Sequence, residues 1–173
     1  MKFSNLLYSL LVIVCIGCEA AHSTHNHRHL TAQNDTVHFP IPVGLINDFD
    51  HVLSHEQEAK LLQLVKQHEA ETTNQIAIAT LTSLQNYEGL EEYSLDLANH
   101  WKIGQADQDN GVLIAIYMKD RRIWIQNGTG IMHKLTDDET LDIIKKVIVP
   151  EFKKNDFYTG LHNGIQEIIR ELK

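Results

Sequence analysis

Two short apolar runs, Gln75–Leu81 and Val112–Met118, limit the fold of this chain more than any other feature. Each has strand length and is apolar nearly throughout, the pattern of a strand buried on both faces. Between them, residues 90–100 read as a helix with Tyr93, Leu97 and Trp101 on one side. Parallel neighbours need such a crossover, so strand, helix and strand form a βαβ unit. Lys119-Asp120-Arg121 then turns the chain, and Arg122–Gln126 alternates as an antiparallel edge strand does.

Three further helices are marked by caps and by apolar spacing. Ser54 and Gln57 make a capping box for the first, whose apolar face is Leu61, Leu64 and Val65 with Leu62 beside them, and which ends near Glu71. Thr136 and Glu139 box another, with Leu141, Ile144, Val147 and Ile148 as its stripe and Pro150 as its end or a kink. The last runs from Asp156 to Leu172 on Phe157, Leu161, Ile165, Ile168, Ile169 and Leu172. Four amphipathic helices and a small mixed sheet pack most economically as an α/β three-layer α/β/α sandwich.

The N-terminus has the order of a secretory signal: Lys2, an apolar stretch from Leu6, and Gly17-Cys18 at its end. The stretch is too short for a membrane helix, which needs about 20 apolar residues. Gly17-Cys18 resembles a lipoprotein processing site, with Cys15 where leucine is usual, so Cys18 is the expected lipidation site. Cleavage near Ala20 or Ala21 is the alternative. This places the protein outside the cytoplasm, in a bacterial envelope, lipid-anchored to the membrane. Cys15 and Cys18 are the only cysteines, so the domain must stand without disulfides. Residues 19–42 read as a flexible tether whose His22, His25, His27 and His29 could ligate Zn, Cu or Ni. Residues 43–173 form a single domain.

The formal charge of −8 argues against nucleic acid as a partner and favours divalent cations. The antiparallel return brings the loop Asp107-Gln108-Asp109-Asn110-Gly111 beside Asn127-Gly128-Thr129-Gly130, with Thr136–Asp138 close by. Asp107, Asp109 and Asn110 offer the oxygen ligands that Ca²⁺ or Mg²⁺ prefers, with Gly111, Gly128 and Gly130 forming the surrounding backbone. An ordinary Asp-Asn-Gly turn is the alternative. The spacing is not that of an EF-hand, since Met118 stands where the bidentate glutamate belongs. Asp48 is a separate, weaker candidate near Thr80, Thr82 and Ser83, with a turn or cap as its plain role. The common nucleophile, phosphate-loop and zinc-hydrolase signatures are missing, so no catalytic residue is assigned. Trp101 and Trp124 read as packing residues.

Gly44-Leu45-Ile46-Asn47-Asp48-Phe49, Leu53-Ser54-His55-Glu56, Glu71-Thr72 with Gln75-Ile76-Ala77, and Trp101-Lys102-Ile103-Gly104 follow one another in order. They continue with Asp109-Asn110-Gly111-Val112-Leu113, Arg121-Arg122-Ile123, Gly128-Thr129-Gly130 and Val149-Pro150. This series resembles the TPM-domain proteins over roughly residues 43–172. The resemblance implies an α/β/α sandwich and an extracytoplasmic setting, since relatives include bacterial envelope proteins and a thylakoid-lumen protein. It also implies divalent-cation binding in some members and an acid phosphatase activity attributed to the family. Thr129 stands where the family commonly has tyrosine, and Met132 where it usually supplies an acid. The expected function is a non-catalytic Ca²⁺- or Mg²⁺-binding module in envelope protein maintenance or assembly, with an envelope protein as partner. A metal-assisted acid phosphatase is the alternative.

Overall fold

A computed structural model describes residues 37–173. The signal segment, Cys18 and the histidines at 22–29 lie outside the described residues. The chain enters the sheet at β1 (Ile46–Asp48) and turns into α1 (His55–Thr72). Ser54 caps α1 as expected: its hydroxyl accepts from the Gln57 N–H, and the Gln57 amide oxygen accepts from the Ser54 N–H at 2.8 Å. Thr73 closes the helix in the left-handed conformation, φ 67°. β2 (Gln75–Leu81) and α2 (Leu90–Trp101) follow, then β3 (Gly111–Tyr117) and, after one 3-10 turn, β4 (Arg122–Asn127).

The sheet order is β1-β2-β3-β4, with β1, β2 and β3 parallel and β4 antiparallel to β3. Side chains alternate across it. Ile76, Ile78, Val112, Ile114 and Ile116 join one core with α1 and the C-terminal helices. Ala77, Ala79, Leu81, Leu113 and Ala115 join the other with α2, completing the three layers. Two-sided burial explains the unbroken apolar runs. Because β1, β2 and β3 step across the sheet in one direction while α1 and α2 lie on opposite faces, their two crossovers have opposite hands. One of them departs from the right-handed rule.

Two expectations are corrected. The sequence reading had no strand before the first helix, yet Ile46–Asp48 pairs with Ile78–Thr80. Its polar residues hid it: Asn47 is fully buried because its amide donates to the carbonyls of Gly44 and Ile78 and accepts from the Val43 N–H. The Thr136-capped helix passes through α3 (Asp137–Asp142) and a π turn (Ile143–Ile148) into α4 (Val149–Phe152), so of the two readings, end or kink, the helical segment does not end at Pro150, which lies in the first turn of α4. The π turn's extra residue rotates the buried stripe onto Thr140, Ile143, Ile144 and Ile148, leaving Leu141 exposed. Asp156 then caps α5 (Phe157–Glu171), accepting from the Thr159 N–H at 3.0 Å. On the other side of the sheet, Phe39 packs edge-on to Tyr93 and the Trp101 indole donates to the Pro40 carbonyl.

Candidate functional site

The start of β3 and the end of β4 lie side by side, so the loops flanking them meet. The Gly128 N–H donates to the Gly111 carbonyl at 2.8 Å, and the Gly130 N–H to the Asp109 carbonyl at 3.1 Å. Thr129 completes the contact, its hydroxyl donating to the Asp109 carboxylate at 3.1 Å. This approach is why glycine stands at both positions. A Cβ on Gly128 would overlap the Asp109 carbonyl oxygen, and one on Gly130 the Gln108 carbonyl oxygen.

Asn110 braces this loop. It is 3% exposed, and its amide oxygen accepts from the Gln105 N–H at 2.8 Å. Its amide nitrogen donates to the Thr73 carbonyl at 2.9 Å and to the Gln108 side chain at 3.2 Å, tying the loop to the C-terminus of α1. Asp109 holds φ 46° and is exposed, as is Asp107. A cavity of 260 Å³ opens beside Asp109, floored by Ile103, Leu113 and Gly111 and edged by Asp109, Gly128 and Thr129. Asp109 is the one charged side chain lining it. The third helix's N-terminus is linked to this end through Asn127, which donates to the buried Thr140 hydroxyl at 2.8 Å.

The oxygen donors here are hard: the Asp109 carboxylate, the Thr129 hydroxyl and the loop carbonyls suit Ca²⁺ or Mg²⁺. The set is sparse, since Asn110 already spends its oxygen on Gln105. Among the described residues, no three His, Cys, Asp or Glu side chains converge as a metal cluster. A cation here would keep much of its water, as a weakly held Mg²⁺ or Ca²⁺ does.

Asp48 lies at the other end of the sheet. One carboxylate oxygen accepts from the Thr80 hydroxyl at 2.8 Å and the other from the Leu53 N–H at 2.8 Å, so both oxygens serve the entry into α1. Asp50 stands beside it, an oxygen buried and without a hydrogen bond. Burial, and then the neighbouring Asp48 charge, push the Asp50 carboxyl above its usual range. Sequence reasoning missed Asp50 and the roles of Thr73, Gln105 and Thr129; only the Gly-Thr-Gly spacing hinted at the last.

Apart from Val149-Pro150 in α4, the ordered motifs of the sequence thus fall on the strands, the helix ends and the loops that join them. Residues 46–171 match the TPM domain. The chain belongs to the TPM-domain family. Its fold resembles the N-terminal domain of a protein from P. gingivalis, with TM-score 0.68 and 26% identity, over 74% of this chain and 81% of that one. A protein of the psychrophilic bacterium Bizionia argentinensis shares the fold at TM-score 0.62 and 23% identity, over 72% and 83% of the two chains. The N-terminal domain of a Corynebacterium glutamicum protein does so at TM-score 0.59 and 14% identity, over 79% and 86%. No curated protein matches the chain. Among the described residues, no helix of this TPM domain is long and apolar enough to cross a membrane.

Proposed function

We propose that this TPM domain is a non-catalytic, divalent-cation-binding module that works outside the cytoplasm, held to a membrane through Cys18 and serving envelope protein maintenance or assembly. The observation that carries the cation reading is the convergence of the Asp109 carboxylate, the Thr129 hydroxyl and the Gly128–Gly130 backbone on one exposed loop pair. The export reading rests on the apolar N-terminal segment ending in Gly17-Cys18. Against the phosphatase alternative, the cavity beside Asp109 is lined by no lysine, arginine or histidine. A phosphoryl group there would have only a bound ion to neutralise it.

Calorimetric titration with Ca²⁺ and with Mg²⁺ tests the reading. Binding heat that disappears in Asp109→Asn supports it, and equal heats in both proteins would move the ion elsewhere. The same samples should leave a generic phosphomonoester intact. Hydrolysis that is lost in Asp109→Asn would instead establish the enzyme.

A further inference from the structure

The outer side of β4 poses a problem that the cation site does not solve. β4 ends the sheet order, and no other strand among the described residues pairs with its outer edge. Exposed edges of this kind usually carry lysine, proline or a cover that prevents pairing with other chains. Beyond Arg122, β4 reads Ile123-Trp124-Ile125-Gln126-Asn127, without such a guard. A groove of 720 Å³ runs along the edge, with Trp124, Ile125 and Gln126 in its floor.

The groove walls are apolar within and acidic at the rim. Leu95, Met132 and Leu141 are 47%, 40% and 42% exposed, and all three line it. Glu91 and Glu92 of α2 stand on one wall and Asp137 and Asp138 of α3 on the other. No basic side chain lines the groove. Trp124 pairs with Ala115 on the α2 side of the sheet, and Ile125 pairs with Ile114 on the α3 side. An added strand would send alternate side chains to these two apolar surfaces, as strand pleating requires.

We propose that the outer edge of β4 accepts an extended cationic peptide segment of a partner protein as a fifth strand. Backbone hydrogen bonds to β4 supply the pairing, and apolar side chains fill the floor beside Leu95 and Leu141. Lysine or arginine stems cross that floor and place their charges at the four carboxylates. A second copy of this chain fits poorly, because joining two β4 edges would bring two such acidic rims together. The inference does not depend on whether the Asp109 loop holds a cation.

The test uses the full chain, labelled with ¹⁵N, and three capped peptides. One repeats Lys-Lys-Val-Val so that each face of the strand carries both residues, one repeats Glu-Glu-Val-Val, and one is the lysine peptide N-methylated at successive residues so that neither edge can donate. The lysine peptide should shift the amides of residues 91–95, 122–127 and 137–141 saturably and slow hydrogen exchange at outward amides of β4. N-methylation and the glutamate substitution should each abolish those shifts. Glu91→Gln with Glu92→Gln should weaken binding about fivefold, the loss of two exposed ion pairs, and added salt should weaken it likewise. Equal binding of the N-methylated peptide would remove strand addition, and equal binding of the glutamate peptide would remove charge complementarity. Shifts confined to another surface, or no saturable shift with any peptide, overturn the proposal. So does a wild-type dimer in sedimentation whose contact maps to β4.

Discussion

Replacing Asn110 with alanine separates a loop brace from a metal ligand, and the structure supplies the magnitude. The change removes the bond from the Gln105 N–H at 2.8 Å and the bond to the Thr73 carbonyl at 2.9 Å. Each is worth about 0.5–1.5 kcal/mol net, giving a loss of about 1–3 kcal/mol. Gln105 and Thr73 are exposed, so water can meet the freed groups and keeps the cost within that range. Urea unfolding in metal-free buffer should show a lower midpoint with an unchanged slope, and thermal unfolding a fall of about 4–10 °C. Asn110→Asp sharpens the test. It keeps an acceptor for Gln105 but sets a carboxylate oxygen against the Thr73 carbonyl, so it should destabilise at neutral pH. A ligand at this position would instead gain from the added charge. An Asn110→Ala midpoint equal to wild type, or an Asn110→Asp protein of wild-type stability that binds Ca²⁺ more tightly, would refute the brace.

The π turn predicts that Ile148→Ala, at a fully buried position, costs about 2–5 kcal/mol, while Leu141→Ala at its exposed one stays within about 0.5 kcal/mol by urea unfolding. Gly130→Ala should lower stability by about 1–3 kcal/mol and displace the amide resonances of residues 107–111, because its Cβ meets the Gln108 carbonyl. His68 is buried in α1, with its Nδ1 unpartnered, and burial lowers its pKa below the usual histidine value. Its unfolded form therefore binds the proton more readily. The stability it protects is full above about pH 6.5 and declines as pH falls from there toward the lowered folded value. Equilibrium unfolding between neutral and mildly acidic pH should show this slope, and His68→Leu should flatten it.

Much of the fold could be read along the chain because local signals and burial agree. Ser54 with Gln57 and Thr136 with Glu139 form the boxes their spacing implies, and the two apolar runs are the strands buried on both faces. What escaped depends on partners distant in sequence. Asn47 and Asp48 look like loop residues until Ile78 and Thr80 supply their hydrogen bonds. Thr140 looks like surface until Asn127 bonds its hydroxyl, and that exchange with Leu141 accompanies the π turn. At the site, the meeting of residues 107–111 with 127–130 followed from the antiparallel return alone. Asn110's bracing role did not, because Thr73 reaches it only through the packing of α1 against the sheet end.

In the proposed function, the divalent cation sits on the Asp109 loop pair. Backbone amide titration of the labelled protein with Ca²⁺, repeated with Mg²⁺, locates that cation. Binding at the Asp109 loops should give saturable shifts concentrated at residues 107–111 and 128–130, absent in Asp109→Asn. Shifts concentrated instead at Asp48 and Asp50, or no saturable shift with either ion, would contradict it.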